Sequence, residues 1–315
     1  MREGTLNSVI RADGLAPDIE FPCTSTGTKF DWIHRRDGKT DIYFISNQST
    51  RIAAAPMIFR VRGKQPELWD AVTGESRFLP EWREEDGRTI VPMQFAPRQS
   101  FFVVFRQDSQ KSEIAGRRLE KNFPKLTPMQ AIAGEWKVSF DAQWSRLTKA
   151  VTFEKLEDWT KRPEEGIKYY SGAATYLKVF DLADNTKAKR GKGTGEKLFL
   201  NLGVVKNIAR VRLNGCDLGV VWTAPWQVDV TSALKPVGNE LEITVANLWP
   251  NRLIGDATLP KEKRLTVTNV RTYDTMTTGI FDCKKCEDRK KIGKLAELLP
   301  SGLLGPIQLL SGDFK

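Results

Sequence analysis

Trp222 and Trp226 bracket Thr223-Ala224-Pro225, directly after a segment that carries Asn214 and Asp217; Trp249 precedes Pro250-Asn251-Arg252, and Asp256 closes the stretch. An indole offers a flat apolar face to the C–H side of a sugar ring, while amide, carboxylate and guanidinium groups pair with the hydroxyls around it. Tryptophan beside Asn, Asp or Arg is therefore the pattern of a carbohydrate contact. The same residues also have a structural reading, in which tryptophans flanking a proline cap a β core and Arg252 forms an ion pair with Asp256. The sequence leaves both open.

Other chemistry is more restricted. His34 is the single histidine, so no two-histidine zinc motif exists and a Ser–His–Asp triad would have to use it. Between Trp32-Ile33 and Arg35-Arg36 it reads as a structural imidazole. Carboxylates crowd Glu81-Trp82-Arg83-Glu84-Glu85-Asp86-Gly87 and Glu164-Glu165-Gly166, both read as solvated turns, so no catalytic residue is assigned. Of the four cysteines, Cys23 and Cys216 are isolated and Cys283-Lys284-Lys285-Cys286 has only half the spacing of a zinc ribbon. No metal and no cofactor is expected. Lys187–Lys197 is basic and glycine-rich, but Glu196 precedes Lys197 and Leu198 follows it, which breaks the phosphate-loop pattern; a solvated loop is expected there.

The elements that would position these residues are strands. Ala209, Val211 and Leu213 alternate with Arg210, Arg212 and Asn214, and Asn214-Gly215 then tolerates the positive φ of a tight turn, so a hairpin follows. Val228 and Val230, then Leu241, Ile243 and Val245, repeat the two-residue period. Thr231–Leu234 reads as a single turn. Further strands are expected at Asp41–Ser46, Met57–Val61, Thr89–Phe95 and Phe101–Arg106, and Trp136, Val138 and Phe140 alternate to open a second layer pair. The fold class is all-β: a β-sandwich over 21–108, a linker over 109–127, and a second sandwich over 128–315, with 1–20 a remnant of a preceding region.

Several segments resemble a known family. Leu198–Asp256, together with Tyr170-Ser171-Gly172-Ala173-Ala174-Thr175-Tyr176, is similar to the galactose-binding-like jelly roll of family 2 glycosidases, which implies that the second sandwich, 128–315, is such a jelly roll. Leu299-Pro300-Ser301-Gly302-Leu303-Leu304-Gly305-Pro306 is similar to the closing strand of α-L-rhamnosidase-type glycoside hydrolases of family 106. So are Phe30–Arg36, Asp41–Asn47, Pro66-Glu67-Leu68-Trp69-Asp70 with Thr73-Gly74-Glu75, and Ser100–Phe105. The resemblance implies the carboxy-terminal region of such a hydrolase, with its catalytic barrel missing, since a barrel takes about 250 residues of alternating strand and helix. Glycoside cleavage needs two carboxylates about 5–5.5 Å or 6.5–9.5 Å apart across the scissile bond. Autonomous activity is thus not expected. The implied role is an ancillary, non-catalytic one that braces the barrel and contacts glycan, with a free-standing carbohydrate-binding module as the alternative.

The implied partners are a catalytic barrel domain or subunit encoded upstream and a plant- or microbial-type polysaccharide. A net charge of +10 invites nucleic acid, but the lysines and arginines are scattered rather than gathered on one face, so neither nucleic acid nor membrane is expected as a partner. The resemblance implies export, although Met1–Gly14 lacks the apolar core of a secretory signal.

Overall fold

A computed structural model describes residues 12–22, 28–108, 121–184, 197–266 and 297–313. The chain divides into two compact units, Met1–Leu126 with Gly312–Lys315, and Thr127–Ser311. Both are built of antiparallel strands, as the period-two alternation requires.

In the first unit, one sheet holds β1 (Ile19–Glu20), β4 (Ala53–Phe59), β8 (Arg88–Phe95) and β7 (Arg83–Glu85) in that spatial order. The other holds β2 (Phe30–Asp37), β3 (Thr40–Asn47), β9 (Ser100–Asp108), β5 (Lys64–Trp69) and β6 (Ser76–Phe78). Side chains alternate, so Tyr43 and Ile45 of β3, Met57 and Phe59 of β4, Val91 and Phe95 of β8, and Val103 and Phe105 of β9 meet in one core. Two expectations change. Ile19 is 4% exposed and pairs with Phe59, so the sheet already includes the end of the presumed remnant. The carboxylate-rich turn narrows to Asp86-Gly87, both at positive φ, because Arg83–Glu85 pairs with Arg88–Ile90.

In the second unit, β12 (Val151–Phe153), β11 (Trp136–Phe140), β13 (Ala173–Phe180), β19 (Asn239–Ala246), β16 (Ile208–Leu213) and β17 (Cys216–Val221) form a six-stranded sheet. The opposing sheet orders β10 (Lys125–Ala131), β21 (Gln308–Asp313), β14 (Lys197–Asn201) and β18 (Gln227–Asp229), and β15 (Val204–Lys206) pairs with β20 (Gly302–Gly305). Trp136, Val138, Tyr176, Val211, Leu213 and Ile243 pack against Leu198, Leu200 and Leu309 in its core. The expected hairpin is present: Leu213 pairs with Cys216, and Asn214 and Gly215 take φ of 54° and 83°. Part of the expected linker, from Lys125, is strand. Glu165–Lys168 is a short helix rather than a turn, with Glu164 in the capping position and Ile167 buried. Cys23, Cys283, Cys286, and the basic loop up to Glu196 lie outside the described residues. Cys216 is an exposed free thiol.

Candidate functional site

The strand directions of the six-stranded sheet decide which of the nominated residues can meet. β17 and β19 both run antiparallel to β16, with Val221 and Val245 each opposite Ala209, so both strands leave the sheet at the end where β16 begins. Trp222 follows β17 there, and Asn247-Leu248-Trp249 follows β19. Trp222 and Trp249 are each 54% exposed, Leu248 49% and Ile208 46%. The Trp249 ring stands edge-on to Trp144, centroids 5.7 Å apart at 88°, which fixes its orientation while leaving much of it in solvent. This sheet end carries an aromatic and aliphatic rim.

Asn214 and Asp217 lie at the opposite end of the hairpin. Five residue steps separate Asp217 from Trp222, roughly 16 Å at strand rise. Asn214 spends its amide on the fold: Nδ2 donates to the Ala233 carbonyl (2.7 Å) and to Asn239 Oδ1 (3.0 Å), while Oδ1 accepts from Glu240 N–H (2.9 Å). Asp217 accepts from Arg210 Nε at 3.1 Å and from Gly219 N–H at 3.1 Å. The Arg210 hydrogen bond, aided by that of Gly219, holds its carboxyl at about 2. Trp226 is half-buried against the core, and its carbonyl accepts from Leu202 N–H (2.7 Å).

Arg252 and Asp256 sit in the helix Pro250–Ala257, only 5% and 3% exposed. Arg252 Nη2 is 2.9 Å from Asp256 Oδ1 without the alignment of a hydrogen bond, and Arg252 Nε has no hydrogen-bond partner. The other carboxylate oxygen accepts from Thr266 N–H (2.8 Å) and Oγ1 (2.5 Å). The charges of the pair are spent on each other inside the unit. The structure thus brings together Trp222 with Trp249 at one sheet end, and Arg252 with Asp256 in one helix, and leaves Asn214 and Asp217 apart from both.

Sequence reasoning missed what holds the rim in place. Ser301 N–H donates to Asp158 Oδ1 (3.0 Å), and Ser301 Oγ accepts from Asn247 Nδ2 (2.9 Å) and Asn251 Nδ2 (3.0 Å). Ser171 Oγ donates to the Leu248 carbonyl (2.8 Å) and accepts from Arg252 N–H (3.0 Å). Tyr176 Oη accepts from Trp159 Nε1 (2.5 Å) and Leu303 N–H (3.2 Å), and burial pushes this phenol's pKa well above its ordinary value. The segments Tyr170–Gly172, Asn247–Arg252 and Leu299–Leu303 are tied by this buried polar knot. The only sequence signal for it is Ser and Asn standing in apolar surroundings.

His34 is likewise accounted for in the first unit. It stacks on Tyr43 with centroids 4.2 Å apart, and Nε2 lies 3.2 Å from Asp41 Oδ1 while Nδ1 lies 3.6 Å from Asp18 Oδ1.

A family model described as alpha-L-rhamnosidase matches residues 1–82. A rhamnosidase from Novosphingobium sp. PP1Y superposes with a TM-score of 0.77 at 34% identity, covering 97% of this chain and 26% of its own. The chain is related to the α-L-rhamnosidase family of glycoside hydrolases. A protein of Formosa agariphila that carries a beta-glucuronidase name is 39% identical over 202 residues, 62% of this chain and 17% of that protein. The chain therefore spans about a quarter or less of the length of these relatives, and its fold is that of the corresponding quarter of the rhamnosidase.

Proposed function

We propose that this chain is an ancillary, non-catalytic portion of an α-L-rhamnosidase-type glycoside hydrolase, bracing the catalytic barrel. The observation that carries the reading is the extent of the structural match: nearly all of the chain superposes on about a quarter of a rhamnosidase, and that quarter is two sandwiches. Among the carboxylates nominated from sequence, Glu84, Glu85, Glu164, Asp217 and Asp256 are committed to an arginine or a backbone amide, and Asp86 and Glu165 are exposed. The rim of Trp222, Ile208, Leu248 and Trp249 supplies apolar area of the kind that a partner domain buries. The isolated chain, incubated with aryl rhamnosides and aryl glucuronides, is expected to release no aglycone above blank. Turnover abolished by a single carboxylate substitution would overturn the proposal.

A second reading, a free-standing carbohydrate-binding module, is favoured by one observation: two half-exposed tryptophans share a sheet end. Titration with oligosaccharides, followed by tryptophan fluorescence, separates the two. A bracing rim gives no saturable change that depends on its tryptophans, whereas a glycan platform gives one that Trp222→Ala and Trp249→Ala remove.

A further inference from the structure

The outer face of the five-stranded sheet in the first unit carries an apolar row where a wet face is the rule. Pairing register lines up Ile33, Phe44, Phe102, Trp69 and Ser76 across β2, β3, β9, β5 and β6. At the β6 end of this row a groove of about 410 Å³ opens over the turn between β5 and β6. We infer that this groove binds one neutral sugar residue of a glycan, with Trp69 as its stacking platform, a site separate from the rim of the second unit.

The platform is held in advance of any ligand. Trp69 Nε1–H donates to Glu67 Oε2 (3.1 Å), the Arg106 guanidinium lies 5.4 Å from the ring centroid, and Arg106 Nε meets both Glu67 oxygens at 2.9 and 3.0 Å. Glu67 is 3% exposed, so this triad is anchored from below. Trp69 itself is 36% exposed. A ring fixed in this way loses little freedom when a sugar's C–H face stacks on it.

The polar lining has the right unspent capacity. Asp70 and Glu75 close the turn through their backbones, Asp70 N–H to the Glu75 carbonyl (2.9 Å) and Gly74 N–H to the Asp70 carbonyl (2.8 Å), and Asp70 Oδ1 accepts from Val72 N–H (2.8 Å). Among the described residues the second Asp70 oxygen, the Glu75 carboxylate, the Ser76 hydroxyl and the terminal nitrogens of Arg106 make no hydrogen bond. Planar acceptors beside a guanidinium fork suit vicinal hydroxyls, which donate to one and accept from the other. The volume falls at the low end of ligand sites, about 300–1,000 Å³, and suits a single ring rather than a long polymer. Charge sets the class. Arg106 is already matched by Glu67, and Arg77 stands in the field of Glu75 and Asp70; three carboxylates against two guanidiniums leave the groove net negative and select a neutral sugar over a uronate.

Isothermal titration of the whole chain with neutral rhamno- and gluco-oligosaccharides, and with an oligogalacturonate, tests this. A neutral oligosaccharide is expected to bind saturably at millimolar concentration. Glu75→Gln and Trp69→Ala are each expected to weaken it about tenfold or more, Trp69→Phe to retain most of it, and the pair Trp222→Ala and Trp249→Ala to leave it unchanged. Glu75 is an exposed turn residue, so its variant reports on the groove even if Trp69→Ala unfolds. No saturable binding by any neutral member, equal binding of the oligogalacturonate, or binding indifferent to Glu75→Gln and Trp69→Ala overturns the inference. None of these outcomes bears on the hydrolysis assay, so the two proposals fail separately.

Discussion

At the scale of single residues, the charges that matter are those with fixed partners. Arg210 holds Asp217, and Arg162 holds Glu164, below the ordinary carboxylate range. A group depressed on folding contributes stability that is present above its unfolded value, about 3.9 for Asp and 4.3 for Glu, and that is lost as pH falls through the folded value. Conformational stability should therefore decline between about pH 4 and pH 2, read by denaturant unfolding at each pH. In Arg210→Gln the Asp217 carboxyl should titrate nearer its ordinary value, which carboxyl NMR shifts measure directly. The buried pair behaves differently: Arg252→Met should cost about 3–5 kcal/mol by stranding a buried carboxylate, and the double change Arg252→Met, Asp256→Leu should cost less than the single one. A double-mutant cycle checks the sign.

At the scale of elements, the polar knot and its glycine are the parts most sensitive to substitution. A Cβ on Gly302, already at φ 99°, would run into the Trp159 indole, so Gly302→Ala should destabilise by about 2 kcal/mol or more. Ser301→Ala leaves Asn247 and Asn251 each short of an acceptor and should cost about 1–3 kcal/mol; chemical denaturation measures both. These elements also show what was legible. Alternation at Trp136–Phe140 and Leu241–Val245, and Asn214-Gly215, gave strands and a hairpin because that information is local. The knot was not legible, because Asp158, Asn247 and Ser301 lie up to 143 positions apart and only the packed sandwich brings them together. The nominated site met the same limit. Tryptophan beside a polar residue was sound chemistry, but strand direction put Asp217 and Trp222 at opposite ends of β17. The helix Pro250–Ala257 then buried Arg252 and Asp256. The same rule applied to Trp69-Asp70 would have pointed to the groove, although two of its residues, Phe102 and Arg106, come from a strand more than thirty positions away.

At the scale of the whole molecule, both units are assembled from pairings between distant strands, such as Glu67 with Val104 and Val205 with Leu303. Contacts of this separation make folding slow, in milliseconds to seconds or longer. Stopped-flow tryptophan fluorescence should place refolding in that range, and a microsecond phase carrying the full amplitude would contradict the topology. The length ratio to the relatives and the rim both support the proposed role, architecture for chemistry done on another scaffold.

The Ser301 knot also imposes an order on biosynthesis. Its central hydroxyl and the glycine beneath Trp159 are made some fifty residues after the asparagines they latch. The second sandwich stays unlatched until Ser301 has been made, so a nascent chain stalled before it would present its aromatic interior to chaperones.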